Sequence, residues 1–218
     1  MVKLTTLFGI PVHLHWSFLA LLVGFAVWSG PSGALFTLTM AFGLFGSVLL
    51  HEFGHALAAR RYGIRTAHIT LFPFGGVAAI QGMPRNPMQE LVIAVAGPAV
   101  NAAIFVGAGA MWALTGWGWL AWLAGINLVM GLFNLIPAFP MDGGRVFRAL
   151  LATQLGWVRA STVAIGVGRF FAWAFVGLGA ISWSWNLALV GGFLLFALSA
   201  EERRLVGEAW PPRPQAWT

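Results

Sequence analysis

His51-Glu52-Phe53-Gly54-His55 lies inside an apolar run, residues 34–59, that is long enough for a membrane-spanning helix. Because a helix turns by about 100° per residue, His51 and His55 share one face and can bind one zinc ion, with Glu52 beside it. This arrangement is typical of zinc hydrolases, in which the carboxylate takes a proton from a water molecule that the metal activates. Each ionisable residue at the centre of a spanning helix costs about 2.5–3.5 kcal/mol on insertion scales, so three of them indicate a function. A hydrogen-bonded polar cluster between helices is the alternative.

The composition indicates a membrane protein. Of 218 residues, 59% are hydrophobic and only 8% are charged, which a soluble domain does not tolerate. The net charge of +6 is dispersed between apolar runs rather than gathered in one patch, which argues against a nucleic-acid partner. Since the chain has no cysteine, a transition metal has to be held by histidine and carboxylate.

Six apolar runs predict an all-α polytopic membrane protein with about six transmembrane helices, at residues 14–29, 34–59, 90–113, 117–141, 163–182 and 185–200. Basic residues concentrate in alternate connections, and the three opposite connections carry no charge. By the positive-inside rule, the chain is expected in the cell membrane with both termini cytoplasmic. We expect a transmembrane core over residues 1–200, a cytoplasmic tail over residues 201–218, and no cleaved signal peptide.

The same topology sets the depth of the candidate metal site. Arg60 and Arg61 mark the cytoplasmic end of the second run, and His55 and His51 precede Arg60 by five and nine residues. At 1.5 Å per residue, a metal held there lies about 8 to 14 Å below that surface. Water is therefore expected to reach it from the cytoplasmic side.

The small number of acidic residues narrows the choice of a third metal ligand. Of six acidic residues, three belong to the C-terminal segment, Glu52 belongs to the motif, and Glu90 opens the third run, where it suits the positive end of the helix dipole. Asp142 remains, in a segment whose prolines and glycines interrupt a helix. A straight fourth helix would leave Asp142 shallower than the histidines, so the prolines have to bend the segment back. An Asp that only caps the turn before Gly143 is the alternative.

These motifs resemble a known family. HEFGH at residues 51–55 and NLIPAFPMDGGR at residues 134–145 look like the two signatures of the site-2 protease family of zinc intramembrane metalloproteases, with further similarity at residues 9–15, 71–77 and 96–98. The resemblance implies that His51, His55 and Asp142 bind one Zn²⁺ per chain and that Glu52 is the general base and acid. The chain is also similar to members of the family that carry an additional regulatory domain, either a CBS pair or a PDZ domain. We expect this chain to be the minimal form of the family, without such a regulatory domain.

The resemblance also implies the substrate, a membrane-spanning helix of another protein in the lipid bilayer. Peptide bonds inside a helix are shielded, so the cut segment must first become extended. Residues 69–80 predict a small β-hairpin or re-entrant loop after the second helix, with Gly75 and Gly76 at its turn, to which an unwound strand can add. Asn134, which matches the signature Asn, is a candidate to orient the substrate, although an Asn in a helix often only bridges neighbours.

Other polar residues receive structural interpretations. His13, His15 and His68 are expected at the interface, Asn101 is expected to be structural, and Arg145 and Arg148 are expected to be topological anchors. Two other functions stay open, a catalytically silent relative that binds membrane proteins and a metal transporter. The client protein and the oligomeric state are left open.

Overall fold

The computed structural model describes residues 1–73, 75–82 and 86–209, with side chains described as far as residue 203. Seven helices and four strands are found in these residues, and they form two units, Met1–Asn134 and Leu135–Thr218. The elements are β1 Val2–Leu7, β2 Ile10–Leu14, α1 Trp16–Trp28, α2 Gly30–Arg61, β3 Thr66–Phe72, β4 Gly75–Ile80, α3 Pro87–Thr115, α4 Gly118–Asn134, α5 Asp142–Leu155, α6 Trp157–Ile181 and α7 Trp185–Ala209.

The first unit contains a four-stranded sheet in the order β1-β2-β3-β4. The β3–β4 pair is the hairpin that the sequence predicts, and it is antiparallel. The sequence analysis missed β1 and β2, which form a second antiparallel hairpin. Its turn places Phe8 at φ 52° and Gly9 at φ 79°. A phenylalanine rarely adopts positive φ, and Phe-Gly is not the Asn-Gly or Asp-Gly pair by which such hairpins are recognised in a sequence.

The sheet packs on helix α2. β2 and β3 pair in parallel, so the chain between them has to cross over, and α1 and α2 provide that crossover. Alternate residues of β2 are buried, and the apolar cluster that joins sheet and helix contains Ile10, Val12, Phe53, Ala56 and Ile69. This packing holds the HEFGH turn of α2 against the sheet.

The predicted spans correspond to helices, with corrections at their ends. Helices α2, α3 and α6 are long and apolar enough to cross a membrane, whereas α1 and α4 are shorter apolar helices. Three spans are therefore supported by length and composition, and the expected number of about six is not confirmed. The fourth predicted run, 117–141, is helical only as far as Asn134, where α4 ends, and the turns at residues 135–141 confirm that the prolines of this segment interrupt the helix.

The second unit contains α5, which the sequence analysis did not predict, followed by α6 and α7. Gly143 and Gly144 start α5, and a Cβ on Gly144 would lie 2.5 Å from the Phe139 nitrogen. Only glycine lets residues 135–141 fold back against this first turn. The core of the unit comprises Ala138, Phe139, Met141, Ala164, Ile165, Ala172, Leu194 and Leu198.

Arg148 is buried, which the sequence analysis did not predict, and its expected role as a topological anchor stays a prediction. Its guanidinium lies 4.8 Å from the Phe139 ring centre and 4.6 Å from that of Trp157. It also donates to the Glu201 carboxylate at 2.8 Å. Arg148 thus ties α5 to α7 by a partly buried ion pair and makes cation–π contacts with two aromatic rings.

The C-terminal helix extends further than the sequence indicates. α7 continues to Ala209, through the residues expected to begin a tail at 201, and Glu202 on it pairs with Arg169 of α6 at 2.8 Å. Residues 210–218 of the predicted tail lie outside the described residues. The division into core and tail and the cytoplasmic orientation of the termini stay predictions.

Candidate metal centre

His51 and His55 are buried on one face of α2, with only 5% and 3% of their surface exposed. They are four residues apart on the helix, so their rings meet edge to face, with centres 4.7 Å apart and planes at 82°. The two Nε2 atoms approach to 3.1 Å. The pairing that the motif predicts within α2 is therefore confirmed as geometry.

Helix α3 supplies an oxygen to the other nitrogen of each ring. His51 Nδ1 lies 2.6 Å from the side-chain oxygen of Asn101, and His55 Nδ1 lies 2.7 Å from the backbone oxygen of Ile93. Both oxygens only accept hydrogen bonds in these contacts, so each Nδ1 carries a proton and donates it. In the neutral imidazoles, each Nε2 then carries a lone pair.

This arrangement fits a zinc ion. Two lone pairs 3.1 Å apart repel each other unless a positive charge lies between them. Two nitrogens bound to one zinc at about 2.0–2.1 Å with a tetrahedral angle lie about 3.3 Å apart, close to the observed spacing. Metal-binding histidines also typically donate their second ring nitrogen to a carbonyl or carboxylate, as these two do. The donor set is therefore suited to zinc.

The site forms because α2 and α3 approach each other closely. A Cβ on Gly54 would lie 2.7 Å from the Ala96 oxygen, and a Cβ on Gly97 would lie 2.8 Å from Cε1 of His51. Glycine at both positions removes the side chain that would keep the helices apart. The approach brings Ile93 and Asn101 within hydrogen-bonding distance of the two rings.

Glu52 faces the sheet. Gly76 of β4 is so close that a Cβ there would lie 2.6 Å from Glu52 Cγ. Glu52 is half-buried, and it follows His51 directly on α2. The carboxylate therefore lies beside the histidine pair and next to the strand at the end of the sheet.

Asp142 opens α5 in the second unit and is 8% exposed. The N-cap of α5 is Met141, so Asp142 is the first helical residue and not the cap, which removes the turn-capping interpretation. Its carboxylate lies 3.7 Å from Arg145. The peptide dipoles of α5 and this arginine both stabilise the ionised form that metal binding requires.

The candidate substrate-binding residues lie on α4 and β4. Asn134 ends α4, where its amide donates to the Met130 oxygen of the same helix at 3.0 Å. Gly75 and Gly76 begin β4 and are half-buried, with Gly75 at φ 143°. No substrate contact of these residues is tested by the structure, and their role stays a prediction.

Sequence reasoning missed the residues that orient the histidines. Asn101 was given only a structural interpretation, and Ser47 and Asn127, which continue its hydrogen bonds, were not considered. The available signal was chemical, because an amide or hydroxyl inside an apolar helix requires a partner. Which partner it finds depends on the packing of α2, α3 and α4.

An HExxH motif with both histidines buried, in an apolar helix that is long enough to span a membrane, is typical of membrane-embedded metallopeptidases. The chain belongs to peptidase family M50, whose family model matches residues 39–116 and 103–175. It is 36% identical to a zinc metalloprotease of Methanocaldococcus jannaschii over 207 residues, which are 93% of this chain and 60% of that relative. Its fold is similar to the solved site-2 protease from the same organism, with a TM-score of 0.70 and 32% identity, over 100% of this chain and 99% of that one.

The chain thus spans about 60% of the length of that curated relative. A more distant similarity, 27% identity over 161 residues, links it to the stage IV sporulation protein FB of Bacillus subtilis, of which it covers 50%. These matches establish the family of the chain.

Proposed function

We propose that this protein is a zinc-dependent intramembrane endopeptidase that cuts membrane-spanning segments of other proteins. His51, His55 and Asp142 bind one zinc ion, and Glu52 is the general base. The observation that carries the proposal is the pair of buried imidazoles with both Nδ1 atoms donating and both Nε2 atoms turned together. In further support, Asp142 is a buried carboxylate at the first turn of α5, the residue type that completes a histidine zinc site in a chain without cysteine.

Zinc at such a site supplies a Lewis acid that polarises the scissile carbonyl and acidifies water. Residues of the protein transfer the protons and orient the metal ligands. Glu52 takes the proton of the attacking water and passes it to the leaving amine. Asn101 and Ile93 hold the two imidazoles in the orientation and tautomer that leave Nε2 available.

The sheet favours an extended substrate. β4 ends the sheet order, so its outer edge has no strand partner among the described residues. An unwound segment of substrate that adds to this edge gains main-chain hydrogen bonds without a sequence requirement. Since Gly76 of β4 lies against Glu52, such a strand passes close to the general base. In this proposal Gly75, Gly76 and Asn134 contact the substrate.

The location follows from the helices. A multi-pass position in the cell membrane with both termini in the cytoplasm would place the histidines below the cytoplasmic surface, within residues 1–200 as the protease core. This orientation is supported by the arginines at the end of α2. Water and the released peptide then exchange on the cytoplasmic side.

The test is the cleavage of a helical membrane substrate in detergent or liposomes by Glu52→Gln, with zinc content measured in parallel. We expect cleavage to fall by about 10²–10⁴-fold, because general-base catalysis contributes that much, while zinc is retained. Glu202→Gln, which removes an exposed carboxylate on α7, is the matched control and should cleave at the wild-type rate. Wild-type cleavage by Glu52→Gln would exclude the proposed mechanism.

The same assay separates the two other functions. A catalytically silent relative would bind the substrate and form no product at saturating zinc. A transporter would carry zinc into liposomes without cutting anything. The intact Glu52 beside the histidine pair favours the peptidase over both.

A further inference from the structure

A chain of hydrogen bonds leads from His51 through three helices and returns to α2. His51 Nδ1 contacts Asn101 Oδ1 at 2.6 Å, and Asn101 Nδ2 donates to Asn127 Oδ1 at 2.9 Å. Asn127 Nδ2 then donates to Ser47 Oγ at 2.9 Å, one turn before His51. Asn101, Asn127 and Ser47 are 0%, 1% and 3% exposed, so bulk water does not compete for these bonds.

Two backbone carbonyls at the far end fix the direction of the chain. Asn127 Nδ2 also lies 2.9 Å from the Leu123 oxygen, and Ser47 Oγ lies 2.8 Å from the Gly43 oxygen. A backbone carbonyl only accepts, so the nitrogen of Asn127 has to face Leu123. If this amide were turned by 180°, its oxygen would face another oxygen and both would lose a donor.

The direction propagates to the metal ligand. Because Asn127 presents its oxygen to Asn101, Asn101 presents its nitrogen to Asn127 and its oxygen to His51. His51 must then donate from Nδ1, which leaves the lone pair on Nε2 beside His55. The choice of tautomer at His51 is therefore made on α4, by Asn127 and the Leu123 carbonyl.

We infer that Asn127 is a positioning residue for the metal centre, one that sets the tautomer and ring orientation of His51 through Asn101. This inference rests on the proposed role of His51 as a zinc ligand. Without Asn127, the Asn101 amide can rotate and donate to His51 Nδ1, which stabilises the tautomer whose Nε2 carries a proton and cannot bind metal. A Met130 sulfur 3.4 Å from Asn101 Nδ2 opposes that rotation only weakly, since thioether sulfur is a poor acceptor.

The experiment measures zinc affinity of the full-length, zinc-loaded protein by competition with a chelator. In Asn127→Leu, we expect the dissociation constant for zinc to rise by about 10–100-fold, the usual cost of losing an orienting partner of a metal-binding histidine. Asn127→Asp should rescue most of this loss, because a carboxyl group buried at this position is kept neutral, so that one oxygen still accepts from Asn101 while its O–H donates to the Leu123 carbonyl. Asn186→Leu removes an exposed helical amide outside the chain of hydrogen bonds and is the control.

His51→Ala separates this inference from the proposed function. If His51→Ala retains zinc at wild-type affinity, the proposed metal site itself is wrong. If His51→Ala loses zinc while Asn127→Leu binds it as tightly as the wild type, only the role of Asn127 is wrong. A lower melting temperature of Asn127→Leu with unchanged zinc affinity would likewise overturn the inference, because it would show a purely structural role.

If Asn127→Leu does not fold, a measurement on the wild-type protein tests the inference instead. Nitrogen-15 NMR of its histidine rings, with His51 assigned by comparison with His51→Ala, reports which ring nitrogen carries the proton in the zinc-free protein at about pH 8, where an ordinary imidazole is neutral. We expect a protonated Nδ1 and an unprotonated Nε2 at His51. A proton on Nε2 would overturn the inference.

Discussion

At His51 and His55, the chemistry of the ligand is decided by atoms that are distant in sequence. The spacing of four within α2 brings the rings onto one face, and that much follows from helix geometry. The tautomer follows from α3, where the Ile93 carbonyl and the Asn101 amide oxygen accept from the two Nδ1 atoms. Asn101 was expected to be structural, and it is instead a partner of a candidate metal ligand.

The prediction at this scale concerns His55. His55→Ala removes one of two imidazoles whose Nε2 atoms lie 3.1 Å apart, and we expect the purified protein to lose its zinc and its peptidase activity. Zinc per chain, measured by mass spectrometry, checks the loss. His68→Ala is the control, since His68 lies on β3 in ring contact with His13, and it should keep a full complement of zinc. Retention of zinc by His55→Ala would contradict the assignment.

Among the elements, the contact between α2 and α3 decides whether the site exists. Both helices were predicted from their apolar runs, and both are found. Their spacing is set by Gly54 and Gly97, which allow a backbone approach that any side chain would prevent. Both glycines lie in segments that the sequence analysis singles out, HEFGH and residues 96–98, but the sequence does not show that they set the distance between two helices.

The prediction for these elements is a pair of glycine substitutions on α3. In Gly97→Ala the new methyl group would lie 2.6 Å from His55 Cε1 and 2.8 Å from His51 Cε1, so we expect the rings to be displaced, zinc to be lost, and stability to fall by about 1–3 kcal/mol. In Gly107→Ala the methyl group meets no atom within 4 Å. That variant should bind zinc normally and gain up to about 1 kcal/mol from helix propensity.

Chelator competition for zinc affinity and thermal unfolding, applied to both glycine variants, test this pair. Equal zinc affinity in the two variants would show that the approach of α2 to α3 does not shape the metal centre.

For the whole molecule, the fold suits a substrate that must be unwound. Among the described residues, the outer edge of β4 beside Glu52 has no strand partner, and three helices are long and apolar enough to cross a bilayer. A substrate helix has every main-chain hydrogen bond satisfied internally. Opening that helix is therefore a cost that the substrate sequence controls.

The prediction for the whole molecule concerns that cost. A proline placed in the substrate helix near the cut site destabilises the helix by about 3 kcal/mol, so we expect cleavage of a bilayer-embedded substrate to accelerate by about tenfold or more. The same proline at the opposite end of the helix should have no effect on the rate. A zinc chelator should stop cleavage of both substrates, and zinc should restore it. Equal rates for the two substrates would show that local unwinding does not limit the reaction.

The sequence by itself determined the class of the protein. Its apolar runs predicted the helices, the spacing of His51 and His55 predicted a shared ligand face, and the scarcity of acids singled out Asp142. These are local or compositional properties, which can be recognised without knowledge of the fold. The hairpin at residues 69–80 was likewise predicted, because alternating apolar residues flank a glycine turn.

Only the tertiary structure decided how these parts are oriented. The β1–β2 hairpin escaped prediction because its turn holds Phe8 at positive φ, and α5 escaped because Gly143 and Gly144 read as helix breakers although they let the chain pack closely. The tautomer of His51 depends on Asn101 and Asn127, 50 and 76 residues away. A hydrogen bond has a direction, and the direction that is set on α4 by the Leu123 carbonyl reaches His51 only because packing brings α4, α3 and α2 within hydrogen-bonding distance, which no single segment of sequence shows.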